Sequence, residues 1–197
     1  MAVVAGVFHI LNHATFKASL FMAAGIIDHE TGTRDMRRLS GLIHAMPITG
    51  TLAIVAASAM AGVPLLNGFI SKEMFFAEAT EWHNGTWLDD SMPWIATLAG
   101  ALAVAYSARF VVSVFFGPLA RDLPRPAHEP TPWMRRPVEV LVLICLVVGV
   151  VPDQTLGPVL NLALKAVTGP QTPHFDIAVW HGFTPALGLS AIAVAVG

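Results

Sequence analysis

The chain has 197 residues, of which 55% are hydrophobic and 12% are charged, and its formal net charge is −2. Soluble domains average about 25% charged residues, so this composition excludes an ordinary soluble protein. It predicts an all-α polytopic bundle of transmembrane helices, one membrane domain over residues 1–197, with the lipid bilayer around it. No basic stripe is interleaved with aromatic residues, which excludes a nucleic-acid partner.

The first predicted span covers residues 2–27 and carries His9, His13 and Lys17 at four-residue intervals. Four-residue steps stack side chains on one helix face, so the three groups form a stripe roughly 12 Å long at the α-helical rise. Ionisable groups are costly inside a membrane, so such a row indicates a functional site. Histidine titrates near neutral pH and a desolvated lysine can lose its proton. The row therefore predicts a proton relay through intervening waters.

Other interpretations of this stripe stay open at the level of sequence. Each histidine can be a packing residue without further function. Two histidines four residues apart can bind zinc, but Ile10 stands where a metalloprotease motif has glutamate, and no third ligand is nearby in sequence. A b-type haem between His9 or His13 and His181 on the last span is also conceivable. We expect no metal and no cofactor.

The second predicted span, over residues 47–79, is too long for one plain crossing. Pro64 removes a backbone donor and Gly68 loosens the backbone, so we predict a discontinuous helix of two halves. Lys72 and Glu73 follow the interruption directly, near mid-membrane, where half-helix ends form ion or substrate sites in transporters. The alternative is an interfacial pair whose charged ends extend to the membrane surface.

Three further spans are predicted over residues 93–116, 138–152 and 177–197, with a short amphipathic helix between the last two. Arg109 lies inside the third span and needs an acceptor, either for a structural tie or for a transport role. Seven of the eleven Lys and Arg residues lie in the loops after the first and third spans, and the loop between them has none. By the positive-inside rule both basic loops are cytoplasmic, which agrees with a single crossing by the broken helix.

Three segments of the chain resemble the antiporter-like membrane subunits that Mrp-type cation/proton antiporters share with respiratory complex I. They are FHILNHATFKASLFMAAG, DMRRLSGL followed by MPITG, and AGVPLLNGFISKEMFF. Three further segments, SKEMFFAEA, HEPTPWMRRP and WHGF, are most similar to the large A subunit of Mrp antiporters. The resemblance covers nearly the whole chain and implies the C-terminal part of the antiporter module of a longer subunit.

By resemblance, the chain is part of the proton-translocating pathway of a multisubunit Na⁺/H⁺ antiporter, hence a secondary transporter and not an enzyme. Carried over by position, His9, His13 and Lys17 would be the central hydrophilic axis, and Lys72 the proton-handling residue near its far end. The implied partners are the other subunits of the complex. The implied ions are H⁺ with Na⁺, K⁺ or Li⁺, and the implied location is a prokaryotic plasma membrane, as a multi-pass protein.

Three positions depart from the family's usual pattern. Asn12 stands where threonine is usual, Val63 replaces the first of two prolines, and Glu73 stands where complex I subunits often have aspartate. None of these departures removes a titratable group. Within the family, the rival function is a proton-pumping subunit of complex I or of a membrane-bound hydrogenase. Outside it, the rivals are a haem-binding membrane protein and a structural membrane scaffold.

Overall fold

A computed structural model describes residues 2–81, 85–169, 175, 177 and 182–197, and all regular structure in this part of the chain is helical. The predicted all-α fold class is therefore confirmed. A short 3₁₀ helix, Leu42–His44, lies between the first two α-helices. The α-helices are α1 Ala2–Thr31, α2 Pro47–Ala61, α3 Asn67–Glu81, α4 Trp87–Phe115, α5 Pro132–Val150, α6 Pro152–Thr168 and α7 Pro185–Val196.

Two of the described helices, α1 and α4, are long and apolar enough to cross a membrane. Helices α5 and α6 meet at 99°, and they provide a third crossing if the bent pair is counted as one span. Helices α2 and α7 are apolar but shorter. The bend turns α6 away from the axis of α5, in the segment where the sequence predicts a short amphipathic helix.

Helices α4 and α5 begin earlier than the spans predicted at residues 93 and 138. Thr86 and Asp89 form a capping box that starts α4, and Pro132 occupies the first turn of α5. A capping box satisfies amide groups that have no partner inside the helix, so it sets where the helix starts. Pro93, the first residue of the predicted third span, and Pro137, which directly precedes the predicted fourth span, lie inside the two helices, where each removes one backbone hydrogen bond.

The predicted interruption lies between α2 and α3. Gly62 closes α2 in the left-handed conformation, with φ at 84°, and Leu65 also has a positive φ, of 67°. Gly68 is required by close approach, because a Cβ atom there would lie 1.8 Å from the carbonyl oxygen of Ala59. Pro64 lies in the exposed turn between the two halves. The two half-helices therefore pack closely, with backbone against backbone.

Helix α1 occupies the centre of the described bundle, where it packs against α2, α3, α5 and α6. Its buried side chains recur at three- and four-residue intervals, which is the pattern of one continuous helix face. They are Val4, Ala5, Phe8, Asn12, Phe16, Ser19, Ala23, Ile26, Ile27, Glu30 and Thr31. The titratable row of α1 lies beside this buried face, with His9 and His13 exposed within the described chain and Lys17 half-buried.

The connection between α4 and α5 holds the beginning of α2 in place. The Glu129 carboxylate accepts hydrogen bonds from the backbone amides of Ile48 and Thr49, at 3.1 and 2.9 Å, and from the Thr49 hydroxyl at 2.6 Å. A carboxylate at this position satisfies unpaired amide groups of the first turn and faces the positive end of the helix dipole. Glu129 thus caps α2 from a distant part of the sequence.

Replacing Glu129 by alanine should destabilise the protein by about 1–2 kcal/mol, the usual cost of losing a helix cap. The measurement is the free energy of unfolding, or the melting temperature, of the protein in detergent. Asp122→Ala is the matched control, because Asp122 is exposed in the same connection and only its backbone carbonyl, which the substitution keeps, accepts from Arg38. Equal stability of the two variants would contradict the capping role.

Candidate functional site

The two histidines of α1 lie one turn apart and contact different elements. Their ring centroids are 5.6 Å apart, and no hydrogen bond joins the two rings within the described part of the chain. His9 Nδ1 and the Ser71 hydroxyl oxygen lie 2.6 Å apart and share a hydrogen bond whose direction depends on the histidine tautomer. His13 packs against the edge of Phe16, with ring centroids 5.3 Å apart. The row is thus tied through His9 to the second half of the broken helix.

Lys17 brings three helices together. Its ammonium donates a hydrogen bond to the Tyr106 hydroxyl of α4 at 3.1 Å and lies 5.2 Å from the centre of the same ring. The Tyr106 hydroxyl in turn donates to the sulfur of Met60, in the last turn of α2, at 2.8 Å. Lys17 is therefore held by a neutral acceptor and by the face of an aromatic ring.

Lys72 caps the end of α2 from the first turns of α3. Its ammonium donates a hydrogen bond to the carbonyl of Ala61 at 3.1 Å and lies 5.9 Å from the ring centre of Phe76. The last carbonyls of a helix have no partner inside the helix, and the dipole makes this end favourable for a cation. The break thus supplies the acceptor that a half-buried lysine needs.

Two glycines leave room for the Lys72 side chain. A Cβ at Gly62 would lie 2.8 Å from Lys72 Cδ, and a Cβ at Gly100 of α4 would lie 2.9 Å from Cε and 3.2 Å from Nζ. Real Cβ atoms essentially never approach another heavy atom more closely than 3.0 Å, so either side chain would displace the lysine. The end of Lys72 therefore runs through a slot between α2 and α4 that these glycines keep open.

The two lysine sites share the end of α2 and the middle of α4. Met60, which accepts from Tyr106, directly precedes Ala61, which accepts from Lys72. In the part of the chain that the structure describes, no hydrogen bond or ion pair joins Lys17 to Lys72, or either lysine to a carboxylate. Both ammonium groups are therefore held by uncharged partners.

The predicted supporting residues take different positions. Glu73 accepts a hydrogen bond from the Thr184 hydroxyl at 3.3 Å, which joins α3 to the start of α7. Gly68 and Pro64 shape the break itself, as described above. Arg109 is exposed on α4, and within the described residues it has no hydrogen bond or ion pair. The structure thus does not bring Arg109 to either lysine site.

Sequence reasoning missed four residues of the site: Ser71, Tyr106, Met60 and Gly100. Tyr106 is the only tyrosine of the chain and lies in an apolar run, which is a signal that could have been used. Gly100 gives no such signal, since its importance depends on what packs against it. His181, the proposed second ligand of a haem, lies outside the described residues, and the described residues contain no metal-binding group of three or more His, Cys, Asp or Glu side chains.

Comparisons with known proteins agree with the resemblance seen in the sequence. Residues 1–89 match the family model described as NADH:quinone oxidoreductase/Mrp antiporter, transmembrane. The whole chain is 61% identical to the A/B subunit of a probable K⁺/H⁺ antiporter of Rhizobium meliloti and covers 20% of that protein. It is 37% identical to the A subunit of the Na⁺/H⁺ antiporter of Bacillus subtilis, with 100% of the chain and 26% of the relative covered.

Solved structures show the same architecture. The Mrp complex of Dietzia sp. matches with a TM-score of 0.82 and 35% identity over 98% of this chain and 20% of the matched chain. An archaeal membrane-bound sulfane sulfur reductase shares the fold, with a TM-score of 0.67, 21% identity, and coverage of 89% of this chain and 34% of that one. The chain spans only about a fifth to a quarter of the length of the curated relatives described above. In motifs, sequence and fold, the chain is thus similar to part of the antiporter-like membrane proteins that include the large A subunit of the Mrp antiporters.

Proposed function

We propose that this segment forms part of the proton pathway of a monovalent cation/proton antiporter. The observation that carries the proposal is the way both lysines are held. Lys17 donates to a tyrosine hydroxyl and Lys72 to a backbone carbonyl, both of which are uncharged. A carboxylate beside a lysine favours its charged form, whereas a neutral acceptor does so less, which makes release of the proton easier. Both lysines are therefore suited to alternate between charged and neutral forms.

The proposed route runs along α1 and ends at the break. Protons move between Lys17, His13 and His9, and then to Lys72. Because no hydrogen bond among the described residues joins the two histidine rings, whose centroids lie 5.6 Å apart, each transfer between them passes through an intervening water. The Ser71 hydroxyl, which can both donate and accept, connects His9 to α3, where the next residue is Lys72. Each relay group is thus followed by another on the same or the adjoining helix.

We infer that the exchanged cation is Na⁺ or K⁺, since the relatives are named as components of Na⁺/H⁺ and K⁺/H⁺ antiporters. The partners are the other subunits of a multisubunit complex, as in the Mrp complex whose fold the chain shares. The location is a prokaryotic plasma membrane, with several crossings. A redox-driven pump is the alternative within the family, but the similarity to the sulfane sulfur reductase supports only a shared fold.

Replacing either Lys17 or Lys72 by alanine in the complete complex should reduce cation-dependent proton exchange by roughly 100-fold or more, the usual worth of a positioned proton-transfer group. Lys72→Arg should lose exchange as well, because arginine keeps the charge and the hydrogen bond but does not release its proton. The measurement is the collapse of a pH gradient in everted vesicles on addition of Na⁺ or K⁺.

Lys165→Ala is the control for these variants, since Lys165 is exposed on α6 and belongs to neither lysine site. All variants are compared at equal amounts of assembled complex, checked by immunoblot. Wild-type exchange by the Lys72→Arg variant would show that Lys72 acts only as a fixed cation. Wild-type exchange by both alanine variants would overturn the proposed pathway.

Gly100→Ala should reduce exchange without removing any titratable group, because the new methyl group displaces the end of Lys72 from its slot. The same methyl group would also lie 3.2 Å from Ala193 of α7, so helix packing must be separated from lysine position. The double variant Gly100→Ala/Ala193→Gly removes that second contact and should stay impaired. Gly188→Ala is the matched control on α7, since a Cβ there meets nothing within 4 Å. Full activity of the double variant would assign the effect to packing alone.

A further inference from the structure

Two asparagines next to the break are buried without complete hydrogen bonding. Asn12 of α1 and Asn67, the first residue of α3, are 1% and 0% exposed. Asn12 Nδ2 donates to the Phe8 carbonyl, but among the described residues Asn12 Oδ1 and both amide atoms of Asn67 have no hydrogen-bond partner. The Cys145 thiol lies beside Asn67, yet a thiol is a weak donor and acceptor. Unpaired amide groups in an interior are costly and call for an explanation.

The packing of α1 on α3 places the two asparagines at the same level. Phe8 packs in one buried cluster with Ile70, and Phe16 packs in another with Leu66. Going from Phe8 to Phe16 along α1, the neighbouring residue therefore changes from Ile70 to Leu66, which lies earlier in the chain. The two helices thus run antiparallel. Asn12 lies on the same buried face of α1, midway between the two phenylalanines.

The hydrogen bond between His9 and Ser71 gives the same register. His9 and Ser71 face each other across the two antiparallel helices. The residue one turn after His9 on α1 is Asn12, and the residue one turn before Ser71 on α3 is Asn67, so these two asparagines are the next facing pair. Gly68, the other residue at this level of α3, is occupied by its contact with α2. We call these four residues the polar seam: His9 and Ser71 form its first pair, and Asn12 and Asn67 form its second.

We propose that Asn12 and Asn67 bind a buried water molecule between α1 and the beginning of α3. The three unpaired atoms are two amide oxygens and one amide nitrogen. A water molecule can donate to both oxygens and accept from the nitrogen, and buried waters make about three hydrogen bonds. A metal cation would find only the two oxygens as ligands and would be repelled by the amide N–H groups. The donor set therefore fits water.

The proposed water extends the polar seam beyond His9 into the break. Because a water accepts one proton while it releases another, it can pass a proton along without net change. It would do so beside the pair that connects His9 to α3, which makes it part of the route between α1 and Lys72. This consequence rests on the proposed proton pathway, whereas the water site itself rests only on burial and packing.

The test uses Asn12→Leu, Asn67→Leu and the double variant, all in the complete complex. Removing one asparagine leaves the amide of the other without a partner. Replacing both by apolar side chains of similar size leaves no buried amide group that needs a hydrogen bond. The melting temperature of the double variant should therefore exceed the value expected from adding the two single losses. Exchange should fall at least tenfold in both singles, and it should stay low in the double variant although stability recovers.

Asn67→Ser replaces the amide by a hydroxyl, which can also bind water, and leaves more space for it, so this variant should retain most of the exchange. Asn161→Leu is the control, since Asn161 is exposed on α6. Additive losses of melting temperature would show that the asparagines share no site. Wild-type exchange in the double leucine variant, or equal loss in the serine and leucine variants, would overturn the transport role. Lys72→Ala is measured alongside. If Lys72→Ala loses exchange while the asparagine variants keep it, only the transport role of the water is overturned, and the proposed pathway is not.

Discussion

The close approach of α3 to the last turn of α2 is the constraint on which the site depends. Gly68 touches the carbonyl of Ala59, which brings the two half-helices together and leaves the carbonyl of Ala61 accessible to Lys72. Because α2 ends there, its last carbonyls have no helical partner and accept from a cation instead. An unbroken helix would use the same carbonyls internally, so the break creates the lysine site as well as the bend.

The same end of α2 connects the two lysines without letting them touch. The Met60 sulfur accepts a hydrogen bond from the Tyr106 hydroxyl, which itself accepts one from Lys17. The carbonyl of the next residue, Ala61, accepts a hydrogen bond from Lys72. Lys72 is therefore held by the α2 backbone directly, whereas Lys17 reaches the same end of α2 through Tyr106 and the Met60 sulfur. The two lysine sites thus share the end of α2 although, within the described chain, no hydrogen bond joins the two ammonium groups.

The sequence was sufficient for the fold class, the interruption and the chemical groups of the proposed relay. Apolar runs, Pro64 with its flanking glycines, and the spacing of His9, His13 and Lys17 are local signals, and local signals can be interpreted without a structure. Contacts between distant segments carry no such signal. The capping of α2 by Glu129 and the fit of Lys72 against Gly100 arise only once α2, α4 and the connection after α4 are packed together. The start of α4 was predicted too late for a different reason, since the local capping box of Thr86 and Asp89 lies upstream of Pro93.

Helix α2 carries opposite charges at its two ends. The carboxylate of Glu129 faces its first amides and the ammonium of Lys72 faces its last carbonyls, roughly 22 Å away at the rise of an α-helix. Both charges complement the helix dipole while Lys72 is protonated. In the proposed pathway, release of that proton leaves the helix with its anion and without its cation. Helix α2 is thus complemented at both ends only while the half-buried Lys72 is protonated, at the end opposite the connection that holds its first turn.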